Sequence, residues 1–149
     1  MYRTFDSFSV GDAISLGTYD VTREEIIEFA SEFDAQPFHL DDEAGKASML
    51  GGLAASGWHT CSMFMRMLAD GLLKNSNCQG SPGVEQLRWL YPVYPDDTLS
   101  AEAEVLSSRL LESNPHLGLV TFHFVIRNQN KKPVAELTNS ILFRRGAEQ

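Results

Sequence analysis

An aspartate and a histidine five residues apart, Asp34 and His39, flank a proline in the stretch FDAQPFHLDD, Phe33 to Asp42, which has the apolar rhythm of neither a helix nor a strand. A carboxylate and an imidazole can exchange protons as acid and base if folding brings both onto one water molecule. Spacing alone equally allows a plainer arrangement, with Asp34 a solvated helix end, Pro37 a helix stopper and His39 a surface group. Asp41 and Asp42 add metal ligation with His39 as a further option. Three adjacent loop groups have neither the His-x-x-x-His spacing of a helical metal site nor a cysteine set, so no metal is expected.

About a dozen residues further on comes LGGLAASGWH, Leu50 to His59. Its small residues permit close backbone approach at the head of a helix. Amide protons left without partners there, together with the helix dipole, favour developing negative charge. Acid, base and donors can therefore converge. The other histidines suggest no chemistry: His59 reads as a packed, hydrogen-bonded helix residue, His116 as part of a turn, and His123 as a group on the polar face of a strand. Arg66 and Asp70, four apart, read as a local ion pair.

The elements that must position these groups follow from hydrophobic period. A short strand is expected around Ala13 to Tyr19. TREE, Thr22 to Glu25, offers a capping box in which the Thr22 hydroxyl takes the Glu25 amide proton and the Glu25 side chain reaches back. The helix behind it should present Ile26, Phe29, Ala30 and Phe33 on one face and Glu24, Glu28 and Glu32 on the other. Pro37 disfavours helical geometry at Gln36, so this helix should end near Asp34. A second helix fits from about Gly52 to Leu73, with Ala54, Trp58, Cys61, Met65, Leu68 and Leu72 on one stripe. Its other faces also carry Met63, Phe64 and Met67, which predicts burial on nearly all sides.

From residue 84 the period changes to two. Leu87, Trp89 and Tyr91, then Leu99 to Val105, then Val120 to Ile126, then Ala135 to Phe143, predict four half-buried strands. YPDD, Tyr94 to Asp97, and NQNKK, Asn128 to Lys132, are short turns, so the strands they join should be antiparallel neighbours. One apolar helix covered by a single curved antiparallel sheet is the α+β arrangement known as the hotdog fold. The open sheet edge and its aromatic residues predict a homodimer.

The 149 residues are best read as one domain, 1–149, with a core large enough to need no disulfide or structural metal. A formal charge of −8 disfavours nucleic acid and anionic membrane surfaces as partners. Met49 to Leu73 is interrupted by His59, Arg66 and Asp70 and so does not read as a membrane span. Two cysteines, Cys61 and Cys78, fall in no CxxC motif, and Cys61 sits in an apolar helical pattern, as a buried thiol would. MYRTFDSFSVGDAISL carries Asp6 and Asp12 and lacks the continuous apolar core of a signal peptide. A cytoplasmic protein is expected.

FDAQPFH followed by GGLAASGWH and YPVYPDDTL resembles, in motif and order, the MaoC-like dehydratase family, which includes the (R)-specific enoyl-CoA hydratases. The resemblance covers nearly the whole chain. Its signature, Gly-Asp-x-Asn-Pro-x-His, aligns with Asp34, Pro37 and His39, which implies that Asp34 and His39 are catalytic. The family's oxyanion-hole glycine corresponds to Gly57. Phe33 and Gln36 stand where the signature has glycine and asparagine, and Ser56 where the family often has histidine. The implied reaction is syn addition of water to a 2-enoyl thioester, or its reverse, on an acyl-CoA substrate. Coenzyme A would then be part of the substrate, and no separate cofactor is implied. Arg88, Arg109, Lys131, Lys132, Arg144 and Arg145 are candidates to meet its phosphates, without assigned contacts. A thioesterase of the same fold, or a non-catalytic acyl-thioester-binding module, is the alternative.

Overall fold

The computed structural model describes residues 1–146. Its elements are β1 (Ala13–Asp20), α1 (Arg23–Phe33), α2 (Asp42–Ala47), α3 (Gly57–Gly71), β2 (Cys78–Trp89), β3 (Thr98–Leu110), β4 (Leu117–Arg127) and β5 (Pro133–Arg144). The strands form one sheet in the order β1-β3-β4-β5-β2, every neighbouring pair antiparallel. Register shifts interrupt β1 between Ser15 and Thr18 and β3 between Val105 and Ser107, and such irregularities bend a strand. The sheet packs on α3, the hotdog arrangement. Alternation decides which side chains face inward: along β4, Val120, Phe122, Phe124 and Ile126 are buried between half-buried neighbours. Phe64 of α3 meets Phe124 at 4.9 Å between ring centroids.

Several sequence expectations need correction. β2 begins at Cys78 rather than near residue 84 and is exposed along most of its length instead of half-buried, because it lies at the sheet margin and pairs with β5 alone. NQNKK does join antiparallel neighbours, β4 and β5. YPDD makes a turn, with the Asp97 amide on the Tyr94 carbonyl at 3.2 Å, but β2 and β3 are not neighbours: β5 and β4 lie between them. The turn lies instead in a segment that crosses the head of α3, where the Ala55 amide donates to the Val93 carbonyl at 2.8 Å.

That cross-link also explains why α3 starts at Gly57 and not near Gly52. The backbone before Ser56 spends its hydrogen bonds sideways, on Val93 and Phe38, and not along a helix. Within α3 the buried face is His59, Thr60, Met63, Phe64, Met67 and Leu68, while Trp58 (60% exposed) and Met65 (47%) point outward. The expected stripe was wrongly phased, and burial on nearly all sides does not hold within one chain. Cys61 is half-buried, and both cysteines are free thiols.

Helix α1 starts as expected, with Thr22 Oγ1 accepting the Glu25 amide at 3.2 Å. The Glu25 carboxylate does not reach back; it accepts the Tyr19 hydroxyl at 2.9 Å. Ile26 and Ala30 are buried, but Phe33, expected on the apolar face, is 72% exposed. Thr22→Ala is expected to lower stability by about 1 kcal/mol through loss of this cap, read as a fall of about 2–4 °C in the calorimetric midpoint.

Candidate active site

Helix α1 ends at Phe33, and Asp34 caps it, its amide still donating to the Ala30 carbonyl at 2.9 Å. The chain then leaves helical geometry before Pro37 and closes a single tight turn, Pro37–His39, in which the His39 amide donates to the Gln36 carbonyl at 2.9 Å. This turn brings the two side chains together. His39 Nε2 lies 3.4 Å from Asp34 Oδ2, with the imidazole buried and the carboxylate partly so. On its far side the His39 ring donates from Nδ1 to the Ala54 carbonyl at 2.6 Å.

The loop before α3 supplies the rest. Ser56, its N-cap, donates from Oγ to Asp34 Oδ2 at 2.7 Å, and Gln36 Nε2 donates to Asp34 Oδ1 at 2.6 Å. These two donors hold the Asp34 carboxyl below the usual carboxylate range against the opposing effect of burial, with a smaller contribution from His39. Gly57 opens the helix, and first-turn amides have no acceptor inside a helix. The Trp58 amide is taken by Ser56 Oγ at 3.3 Å. Gly57 also lies directly against Trp89: a Cβ there would sit 2.6 Å from the indole, so only glycine fits without displacing that ring. Trp89 Nε1 donates to the Gly57 carbonyl at 3.0 Å.

Asp34, His39 and Gly57 line one cavity of about 490 Å³, walled by Trp58, Trp89 and Tyr91. All three residues singled out from the sequence thus share one space. A carboxylate and an imidazole at this separation can hold a single water, and an amide at a helix head can accept charge on a neighbouring oxygen. Asp41 accepts the Ala44 amide as the cap of α2, a helix absent from the sequence expectations, and Asp42 pairs with Arg23 at 2.5 Å. No group of three or more His, Cys, Asp or Glu suited to a metal ion occurs among the described residues.

From sequence, Ser56 and Gln36 are only departures from a motif, and Trp89 is a strand residue whose packing, with Trp58 and Met63, bears on the depth of an acyl pocket. Their contacts to Asp34 and Gly57 leave no signal in spacing. His59 is packed as expected, stacked on Phe29 at 4.7 Å, but its Nδ1 has no hydrogen-bond partner among the described residues, and burial pushes its pKa down. His116 is exposed in a loop, and His123 lies 3.6 Å from Glu136. Arg66 pairs with Asp70 at 2.8 Å, beside a separate groove of about 440 Å³ between β1 and α3. No described helix is long and apolar enough to cross a membrane.

Residues 9–122 match the MaoC like domain model, and the chain belongs to that family. A solved MaoC-like dehydratase from Rhodospirillum rubrum is 36% identical and superposes with a TM-score of 0.90 over 98% of this chain and 99% of that one. The R-hydratase PhaJ1 from Pseudomonas aeruginosa, at 23% identity and a TM-score of 0.76 over 98% of this chain and 90% of that one, shares the fold. The uncharacterized protein YdeM of Bacillus subtilis (strain 168) is 28% identical over 94% of this chain and 98% of its own length. The protein is a hotdog-fold chain related to MaoC-like dehydratases.

Proposed function

We propose that this protein adds water reversibly to the double bond of a 2-enoyl thioester, most simply an enoyl-CoA, giving an (R)-3-hydroxyacyl thioester. The observation that carries this reading is the pairing of Asp34 Oδ2 with His39 Nε2 at 3.4 Å over a cavity that also meets Gly57 at the head of α3. A water gripped by both groups attacks C3, and a proton is delivered to C2 from the same side. As C3 is attacked, the thioester carbonyl gains enolate character, and the Gly57 N–H is assigned to stabilise its oxygen. Such a donor acts more on the transition state than on the ground state and contributes roughly 3 kcal/mol.

The reading includes two copies joined along the exposed β2 edge, supported by the outward-facing Trp58, Val84 and Trp89 that a single chain leaves uncovered. Hydrolysis of the thioester is a less direct fit, because it has no use for a group that returns a proton to carbon. The test follows loss of the conjugated thioester absorbance on adding trans-2-enoyl-CoA of several chain lengths, with thiol release from saturated acyl-CoA as control. Hydration without thiol release is expected. Thiol release without hydration would reassign the site to a thioesterase.

A further inference from the structure

The rim of the cavity carries a cation for which the chemistry at Asp34 and His39 has no use. Tyr91, just beyond β2, lines the cavity, and the Lys132 ammonium sits over its ring, 3.8 Å from the centroid. The lysine is held there by its own turn. Between β4 and β5 the buried Asn128 accepts the Lys132 amide on Oδ1 at 3.2 Å and donates its own amide to the Lys132 carbonyl at 3.0 Å. Lys131 before it takes left-handed backbone, φ 63°, and the two lysines diverge: Lys131 lines a separate groove with Arg127 and Glu102. The ring is fixed as well. The Tyr91 amide donates to the Val134 carbonyl at 3.3 Å, and its ring meets Tyr94 edge-on at 6.3 Å. The Tyr94 hydroxyl donates in turn to the carbonyl of Leu50, another residue of the cavity wall, at 2.5 Å. Lys46 and Lys74 pair with Glu43 and Asp70, whereas Lys132 makes no ion pair among the described residues.

We propose that Lys132, held on Tyr91, is the anchor for the diphosphate of a coenzyme A thioester whose acyl end reaches Asp34 and His39. The proposal rests on the hydration reading above for the acyl end alone. An ammonium already laid on an aromatic face keeps its charge and has lost much of its rotamer freedom, so an incoming anion meets a prepositioned partner. Its place fits the length of the ligand. Lys132 stands behind Tyr91 and not among the residues that line the cavity, which suits an anion at the far end of a long arm more than one at the reacting carbon. The pantetheine arm, comparable to three or four extended residues, spans roughly 10–15 Å and ends on phosphate. The charge balance selects the carrier: a chain of net charge −8 repels an acidic carrier protein over a wide surface, and one lysine at the rim does not offset that, but it suffices to meet a small phosphorylated ligand.

Binding and turnover of the full chain test this separately. Calorimetry with coenzyme A itself, kept reduced, should show Lys132→Ala binding about 3- to 10-fold more weakly than wild type and Lys132→Arg retaining most of the affinity. Lys74→Ala, which removes the same charge elsewhere, should bind as wild type does. With trans-2-enoyl-CoA, Lys132→Ala should raise KM by the same factor with kcat little changed, and the difference should fade as salt is raised. On the enoyl-pantetheine thioester, which has no phosphate, wild type and Lys132→Ala should agree. Equal affinity for coenzyme A in wild type and Lys132→Ala, or an equal loss on the pantetheine thioester, overturns the anchor. A higher kcat/KM on an enoyl thioester of an acyl carrier protein than on the CoA thioester overturns the choice of carrier. If coenzyme A binds through Lys132 but no enoyl thioester is hydrated, the reaction assignment fails while the anchor stands. If hydration proceeds with a KM indifferent to Lys132, the anchor fails while the reaction stands.

Discussion

Asp34→Asn is expected to lower kcat for hydration of a trans-2-enoyl thioester by about 10²- to 10⁴-fold, with His39→Ala falling in the same range. Asparagine has nearly the shape of aspartate, so the cavity persists, but it offers one acceptor oxygen where Ser56 and Gln36 each present a donor. The variant also tests electrostatics through stability. The folded-state pKa of Asp34 is depressed, so the wild-type carboxylate contributes stability above the unfolded-state carboxylate pKa and loses it as pH falls through the lower folded value. Thermal midpoints of wild type and Asp34→Asn should therefore differ near neutral pH and converge on strong acidification. Unchanged turnover in both Asp34→Asn and His39→Ala would remove the pair from the mechanism.

Phe122→Ala should produce the largest loss of stability, about 3–5 kcal/mol. Phe122 is completely buried on β4 and touches three rings at once: Phe124 at 5.3 Å, Phe8 at 5.5 Å edge-on and Phe143 at 6.3 Å. Truncation leaves a cavity that neighbours on three different segments cannot jointly collapse into. Against a typical domain stability of about 5–15 kcal/mol, the loss brings the chain close to its folding threshold. Urea unfolding should show the midpoint falling sharply with the slope m unchanged. A midpoint close to wild type would mean that this aromatic layer is loosely packed and that the sheet is held elsewhere.

Local rules were enough to find much of the molecule. Thr22 marked the start of α1 because an N-cap depends on residues three apart, and Pro37 marked its end because a proline restricts only the residue before it. Strands β3 and β4 were legible because a half-buried sheet writes itself as alternation, and β5 despite runs of successive buried residues at Val134–Ala135 and Asn139–Ile141. The same reasoning failed for α3, where residues apolar on every side left the phase undetermined and Trp58 and Met65 were assigned inward. It failed again for β2, whose composition carries no record of lying at the margin beside β5 and away from β3.

For the site, sequence alone named Asp34 and His39 as groups able to exchange protons and, through a family resemblance, Gly57 as the donor to join them. Those are statements about residue type and order along the chain. Only the tertiary structure decided that Ser56 and Gln36 grip the two oxygens of Asp34, that the Ala54 carbonyl sets the tautomer of His39, and that Trp89 lies against Gly57. The reason is physical: apart from the Gln36–Asp34 bond between near neighbours, each contact joins atoms far apart along the chain with no periodic or capping signal, and depends on where the loop before α3 comes to rest against the end of α1, the His39 turn and the end of β2.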